Sequence, residues 1–213
     1  MSGVRPYIVR QGDYVAKIAA QLGCSEDEIW SHEKNKELRE SGRTKGVLAP
    51  GDVLYVPDVA VKRPAVAIQS GNPFGGNVPR VSVRLIFAER GEPRSKKKYR
   101  VWCSGEKREG TTDDGGALSV DVPVTAAMIR VEFEDPFASY PVWIGHVDPS
   151  TEQSGVVVRL RQLGYLPGGG ALPDDDDAST TDAVKAFQRD RRLDVTGELD
   201  EATRSEIEKA FGS

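Results

Sequence analysis

The sequence predicts a multidomain α+β protein that contains a small βααβ module, an antiparallel β-sandwich and a three-helix bundle. The 213 residues include 22 glycines and 13 prolines, and this many turn-forming residues favours several small cores over one large core. In the first part of the chain, the apolar residues show strand spacing in some segments and helix spacing in others. In the middle part they alternate with polar residues, and in the last part they have the spacing of helices. The charge also shifts along the chain, because residues 150–213 hold 8 basic and 13 acidic residues.

Composition excludes several classes of protein. The net charge is −4, whereas phosphate binding needs a basic surplus, so no nucleic-acid partner is expected. No apolar run approaches the roughly 20 residues of a membrane-spanning helix, and Met1–Arg10 lacks the apolar core of a secretory signal. We therefore expect synthesis in the cytoplasm and no membrane insertion. The two cysteines and two histidines are dispersed, so we expect free thiols, no metal and no cofactor.

Two seams divide the chain. Proline and glycine are frequent between Val59 and Pro79, which is typical of a linker, and Asp148–Thr151 is a short turn-like joint. The predicted units are a module at 1–58, a linker at 59–79, a β-sandwich at 80–149 and a helical unit at 150–213.

The first unit has the pattern strand, helix, helix, strand. Tyr7–Val9 favours a strand, and Asp13 is expected to cap a helix that ends at Gly23. Ser25–Glu28 has the form of a capping box, which starts a second helix. A polar connection then leads to the closing strand. The residues of this connection and strand are Glu33–Lys45 and Val53–Pro57.

This unit resembles a LysM module over residues 5–58. The resemblance rests on Tyr7-x-Val9-x-Gln11-Gly12-Asp13, Ile18-Ala19, Leu22-Gly23, Ile29-Trp30, Asn35 and Leu48-x-Pro50-Gly51-Asp52-x-Leu54-x-Val56-Pro57. It implies a groove for glycans that contain N-acetylglucosamine. Two features depart from the family pattern: Tyr14 replaces a small hydroxyl residue, and the loop between Asn35 and Leu48 is longer and charged. The glycan-binding residues implied are Gly12, Asp13, Tyr14, Asn35, Pro50, Gly51 and Asp52.

The middle unit alternates apolar and polar residues in about six short strands, which favours a small antiparallel sandwich. Examples are Val81–Phe87, Tyr99–Cys103, Leu118–Val122 and Ile129–Phe133. Thr112-Asp113-x-x-Gly116 and the strand after it make the unit resemble transthyretin-like or carboxypeptidase-regulatory-like sandwiches, and we interpret it as a spacer.

The last unit is helical, with Val156, Leu160 and Leu163 on one helix face and Asp200 as the cap of another helix. Ser179–Asp182 is expected to open the helix between them. The unit resembles the three-helix peptidoglycan-binding domain found beside many cell-wall hydrolases. That resemblance rests on Leu160-Arg161-x-Leu163-Gly164-Tyr165-Leu166, Ala183-Val184-x-Ala186-Phe187-Gln188-Arg189 and Leu193-x-Val195-Thr196-Gly197-x-Leu199-Asp200-x-x-Thr203.

Other candidate sites have simpler explanations. Asp174–Asp177 could hold calcium, but the spacing is not that of a calcium loop, so a solvated loop is favoured. Lys96–Lys98 could contact an anionic polymer, although protection of a strand edge is favoured. Cys103 could act as a nucleophile with His146, yet Cys103 is in phase with buried strand positions. We find no catalytic motif and predict a protein that is not an enzyme.

Two functions follow. The first is non-enzymatic peptidoglycan binding, in which two glycan-binding modules place this protein or a partner at the bacterial cell wall with increased avidity. The second is a structural or adaptor role in a contractile injection machine, because the layout is similar to proteins associated with type VI secretion spikes and effectors. The absence of a signal peptide from Met1–Arg10 then predicts delivery to the periplasm or wall by that machine, with a spike or effector protein as partner.

Overall fold

The computed structural model describes residues 3–58, 78–89, 92–134, 138–166 and 178–212. The Asp174–Asp177 run and most of the predicted linker at 59–79 lie outside these residues. The strands are β1 Val4–Ile8, β2 Val53–Pro57, β3 Arg80–Ile86, β4 Ala88–Glu89, β5 Glu92–Pro93, β6 Lys98–Cys103, β7 Glu106–Thr111, β8 Ala117–Pro123, β9 Met128–Phe133 and β10 Ser139–Trp143. The α-helices are α1 Val15–Leu22, α2 Glu26–Trp30, α3 Lys36–Glu40, α4 Gln153–Gln162, α5 Ala178–Asp190 and α6 Glu201–Phe211.

The N-terminal module, residues 3–58, has its own apolar core between one strand pair and the helices. Strands β1 and β2 pair antiparallel with Arg5 opposite Val56. The predicted end of α1 at Gly23 is confirmed, with φ of 71°, and so is the capping box that opens α2. The buried core residues are Val9, Val15, Ile18, Ala19, Ile29, Leu48, Leu54 and Val56.

Two predictions within this module were wrong. Asp13 does not cap α1, because Tyr14 occupies the cap position and makes no side-chain cap hydrogen bond. The carboxylate of Asp13 instead accepts hydrogen bonds from the Tyr7 hydroxyl and the Arg10 N–H. The polar stretch Glu33–Lys45 is also more than a connection, since it contains a 3-10 helix, Glu33–Asn35, and then α3. Its hydrophobic residues are too few to show a helical period.

The sandwich, defined here as the described part of residues 78–149, has a four-stranded sheet in the order β10-β9-β6-β7 and the strand pairs β3-β8 and β4-β5. All neighbours are antiparallel. Side chains from β8 and from the four-stranded sheet share one buried core, so the two layers pack face to face. Cys103 is in this core, as its phase predicted. Lys96–Lys98 does not protect an edge, because β6 lies between β9 and β7.

The C-terminal module, residues 150–212 where described, packs α4, α5 and α6 around one core. The predicted cap by Asp200 is confirmed, since its carboxylate accepts a hydrogen bond from the Thr203 N–H at 2.7 Å. Helix α5 already begins at Ala178, so Ser179–Asp182 lies inside its first turns. The mixed α+β architecture predicted from the sequence is confirmed. Among the described helices, none has the length and apolar character needed to cross a membrane.

Candidate functional site

The two loops expected to form a glycan groove do meet. The Val9 N–H donates to the Asp52 carbonyl, and the Gly51 N–H donates to the Val9 carbonyl, both at 2.9 Å. These bonds join the end of β1 to the turn before β2. The loop Arg10–Tyr14 therefore lies beside the turn that carries Pro50 and Gly51, and both of these residues are exposed.

Asp13 and Asn35 are buried and occupied by contacts within the N-terminal module. Asn35 donates to the carbonyls of Ile29 and Tyr55 and accepts from the Tyr55 N–H, each at 2.8 Å. Asp13 accepts from the Tyr7 hydroxyl at 2.8 Å. Burial, together with that hydrogen bond, raises the pKa of Tyr7. Both polar residues hold loops in place, because each joins backbone or side-chain groups from different elements.

Tyr14 leaves its own module and enters the core of the sandwich. It is only 6% exposed and belongs to the same buried cluster as Val122 and Ile129. Its hydroxyl donates to the Val124 carbonyl at 3.0 Å, so the buried polar group is satisfied. Burial, with a smaller contribution from the charge of Glu26, raises the pKa of Tyr14 to about 12. In this arrangement the ring packs on protein and presents no open face to a sugar.

Glycines allow the two modules to approach closely beside Tyr14. Gly12 has φ of 81°, and a Cβ placed there would lie 3.0 Å from Nε2 of His146. A Cβ on Gly145 would lie 3.0 Å from both the Gly12 carbonyl oxygen and Cδ1 of Tyr14. The turn after β10 therefore packs directly on the Gly12–Tyr14 backbone. A side chain at either glycine would force its neighbours to shift and would strain the backbone, because both glycines have a positive φ.

Asp52 belongs to a second contact, which joins the N-terminal and C-terminal modules through Arg43. The Arg43 guanidinium pairs with Asp52 at 3.0 Å and with Glu152 at 2.7 Å, and donates to the Thr151 hydroxyl at 2.6 Å. Burial alone would lower the pKa of Arg43, but hydrogen bonds to the Asp52 and Glu152 carboxylates raise it overall. Because the Arg43 and Asp52 side chains are only 10% and 12% exposed, solvent screens this pair less than an ordinary surface pair.

The structure thus gives most of the seven predicted groove residues contacts with the rest of the chain. Pro50 and Gly51 keep an exposed surface, and glycan binding by the set stays a prediction. Sequence reasoning did not identify the partners across the interfaces. No local pattern could reveal them, because they lie more than about 100 residues away in the chain and only tertiary packing brings them together. These partners are Val124, Gly145, His146, Thr151 and Glu152.

The C-terminal module is organised around the fully buried amide of Gln188 on α5. Its NH2 group, which has two hydrogens to donate, lies within hydrogen-bond distance, 3.0–3.1 Å, of the Thr196 hydroxyl, the Glu198 carbonyl and the Thr203 hydroxyl. Its oxygen accepts from the Gly197 N–H at 2.8 Å. One side chain therefore fixes the loop between α5 and α6, and that loop keeps Val195 exposed.

Arg159 holds the joint between the sandwich and α4. The residue is 2% exposed, and its guanidinium donates to the carbonyls of Asp148 and Gly155 at 2.7 and 2.9 Å and lies over the ring of Phe211. Burial lowers the pKa of Arg159. Arg204 also donates to the Ser150 carbonyl. The joint is therefore built from several buried contacts, and the turn predicted at Asp148–Thr151 is not a loose connection.

Cys103 and His146, which the sequence did not favour as a catalytic pair, have different neighbours in the structure. Cys103 lies in the sandwich core with its sulfur 3.8 Å from the Ser104 hydroxyl oxygen. His146 packs on Gly12, and its ring centroid lies 5.5 Å from that of Trp143. Within the described ranges, no group of three or more histidine, cysteine, aspartate or glutamate residues is arranged to hold a metal ion.

One comparison with known families bears on function. Residues 156–207 match the family described as "Putative peptidoglycan binding domain". The match begins within α4, covers all of α5 and ends within α6. It supports the peptidoglycan-binding interpretation of this segment. No curated protein and no solved structure matches the chain.

Proposed function

We propose that this protein binds peptidoglycan through its C-terminal module and has no catalytic role. The observation that carries the proposal is the family match at residues 156–207, which coincides with helices that share a single core. Gln188 supports the proposal, because it gives the loop before α6 a fixed shape that a glycan can recognise without ordering it first.

Peptidoglycan lies outside the cytoplasmic membrane, so this function places the protein in the cell wall or periplasm. The proposed units are those predicted at 1–58, 80–149 and 150–213. A wall-binding function through both end modules requires an open groove in the N-terminal module. The burial of Tyr14 in the sandwich instead favours one wall contact for each chain.

Co-sedimentation of the full chain with insoluble sacculi tests this function. Phe187→Asp places a charge in the core of the C-terminal module, where Phe187 is 0% exposed. We expect it to abolish sedimentation. Ile29→Asp is the matched control, since Ile29 is also 0% exposed but lies in the core of the N-terminal module. Circular dichroism should show a partial loss of structure in both variants.

The outcomes are distinct. Retained binding in Ile29→Asp with lost binding in Phe187→Asp supports the C-terminal site. Equal loss in both variants would support two glycan-binding modules. Wild-type protein that stays in the supernatant at low ionic strength would refute wall binding.

An adaptor for a spike or effector protein of a contractile injection machine is a second candidate. It is favoured by exposed apolar residues on the outer face of the four-stranded sheet, where Trp143 and Met128 form a cross-strand pair and are 55% and 40% exposed. The charged segment Lys36–Lys45 offers a less open surface for such a partner, because Arg43 and Lys45 pair with Asp52 and Asp27. Affinity purification of the tagged protein from its native host tests the adaptor role. The wild type should recover a spike, effector or baseplate protein, and Trp143→Ser should recover less of it. Failure of the wild type to recover any such protein would refute the adaptor role.

A further inference from the structure

The loops of the N-terminal module that were expected to bind glycan are already in contact with protein. Tyr14 contributes a buried ring and a hydrogen bond to the sandwich, and Gly12 packs on His146. At the same end, Arg43 connects Asp52 to Glu152 and Thr151 of the C-terminal module. One end of the N-terminal module therefore contacts both of the other units.

We propose that this end of the N-terminal module is a docking surface whose partner is the rest of the same chain. Its occupant is the pair of sandwich turns that contain Val124 and Gly145, together with Thr151 and Glu152, which directly precede α4. The inference rests on the proposed function only in assigning the wall contact to the C-terminal module.

The chemistry of the contact fits a permanent protein partner better than a sugar. The Tyr14 ring lies among aliphatic side chains, and its hydroxyl bonds to a backbone carbonyl, so the buried polar atom has a partner. The Arg43 guanidinium uses its planar geometry to bridge two carboxylates and a hydroxyl. A glycan would have to displace both contacts before it reached Tyr14 or Asp52.

The contact with the sandwich explains why a tyrosine stands at position 14, where the LysM pattern has a small hydroxyl residue. A small hydroxyl residue could not extend into the sandwich core, whereas a tyrosine crosses the interface and still satisfies its polar end. Gly145 complements it, since an added Cβ would lie 3.0 Å from the Tyr14 ring. Tyr14 on the N-terminal module and Gly145 on the sandwich therefore fit each other across the interface.

Hydrogen exchange measured by mass spectrometry on the full chain tests this docking. The readout for Tyr14 is the exchange of the Val124 and Ile144 amides, which bond to carbonyls within the sandwich beside the interface. We expect Tyr14→Ala to accelerate their exchange at least about tenfold and Tyr14→Phe to accelerate it less. Tyr165→Phe is the matched control, because it removes a tyrosine hydroxyl bond, to Asp190, that lies within the C-terminal module. It should leave these amides unchanged.

A second variant keeps the test decisive if Tyr14→Ala does not fold. Arg43→Ala should accelerate exchange of the Val156 amide, which bonds to the Glu152 carbonyl in the first turn of α4. Lys36→Ala, which removes an exposed cation from the same segment of the chain, serves as its control.

Sacculus binding separates this inference from the proposed function. Docking predicts that Tyr14→Ala binds sacculi within about twofold of the wild type. Unchanged exchange in both Tyr14→Ala and Arg43→Ala would overturn docking, and so would weakened binding of Tyr14→Ala without faster exchange. If the wild type fails to bind sacculi, the proposed function fails while the exchange data still decide the docking.

Discussion

Alkaline pH provides a quantitative test of the buried Tyr14 hydroxyl. Burial raises the pKa of Tyr14 from 10.0 to about 12, so the unfolded chain loses this proton at a lower pH than the folded chain. A raised folded-state pKa gives stability that is fully present below pH 10 and is lost as the pH rises to about 12. Two pKa units correspond to about 3 kcal/mol, which is the largest loss expected from this group.

The assay compares the free energy of unfolding in urea for the wild type and Tyr14→Phe across this pH range. Tyr7 and Tyr165 also have pKa values raised by burial, but they are present in both proteins and cancel in the difference. Near pH 8 the wild type should be more stable by about 1 kcal/mol, the contribution of the Val124 hydrogen bond. Towards pH 12 the difference should shrink and then reverse.

A difference in unfolding free energy that stays constant with pH would refute the reasoning. It would mean that the Tyr14 hydroxyl ionises equally easily in both states and is therefore in contact with water. Tyr7→Phe provides the comparison for a hydroxyl within a single module, since Tyr7 bonds to Asp13.

Three further predictions concern the cores and the thiols. Gln188→Leu should lower the free energy of unfolding by about 2–4 kcal/mol, because it leaves the hydrogen-bonding groups around Gln188 unpaired. The control Gln162→Leu, at an exposed position, should change this free energy little. Urea denaturation measures both variants. Gly116→Ala should lower the melting temperature more than Gly105→Ala does. Both glycines have a positive φ, but only at Gly116 would an added Cβ meet backbone, 2.4 Å from the Phe87 carbonyl oxygen. Equal shifts in melting temperature would contradict this packing. Thiol titration without reductant should find two thiols for each denatured chain, and in the native protein the partly exposed Cys24 should react before the buried Cys103.

Local sequence signals predicted local structure well. The capping box at Ser25–Glu28 and the cap at Asp200 are satisfied by neighbouring residues, so a short window of sequence contains all the necessary information. Period-two alternation likewise predicted the strand containing Val120 and Val122, because both residues face one buried side. These features do not depend on how the modules meet.

The interfaces between modules could not be predicted in the same way. Asp13 resembles a helix cap in sequence, yet Tyr7 and Arg10 use its carboxylate. The sequence placed Tyr14, beside Gly12 and Asp13, among the predicted glycan-binding residues and gave no sign that its ring enters the sandwich core. Its actual environment is set by residues about 110 positions away, and such a contact leaves no periodic signal in one sequence.

The docking of the N-terminal module changes what is expected of wall affinity. Two independent sites joined by a spacer gain avidity only when both can engage the polymer. With Tyr14 and Arg43 held by the same chain, engagement of the first site would require breaking a buried hydrogen bond and a largely buried ion pair. That cost subtracts directly from any affinity the open groove would add. Strong retention at the wall therefore requires either a high affinity of the C-terminal module alone or several copies of the chain presented together.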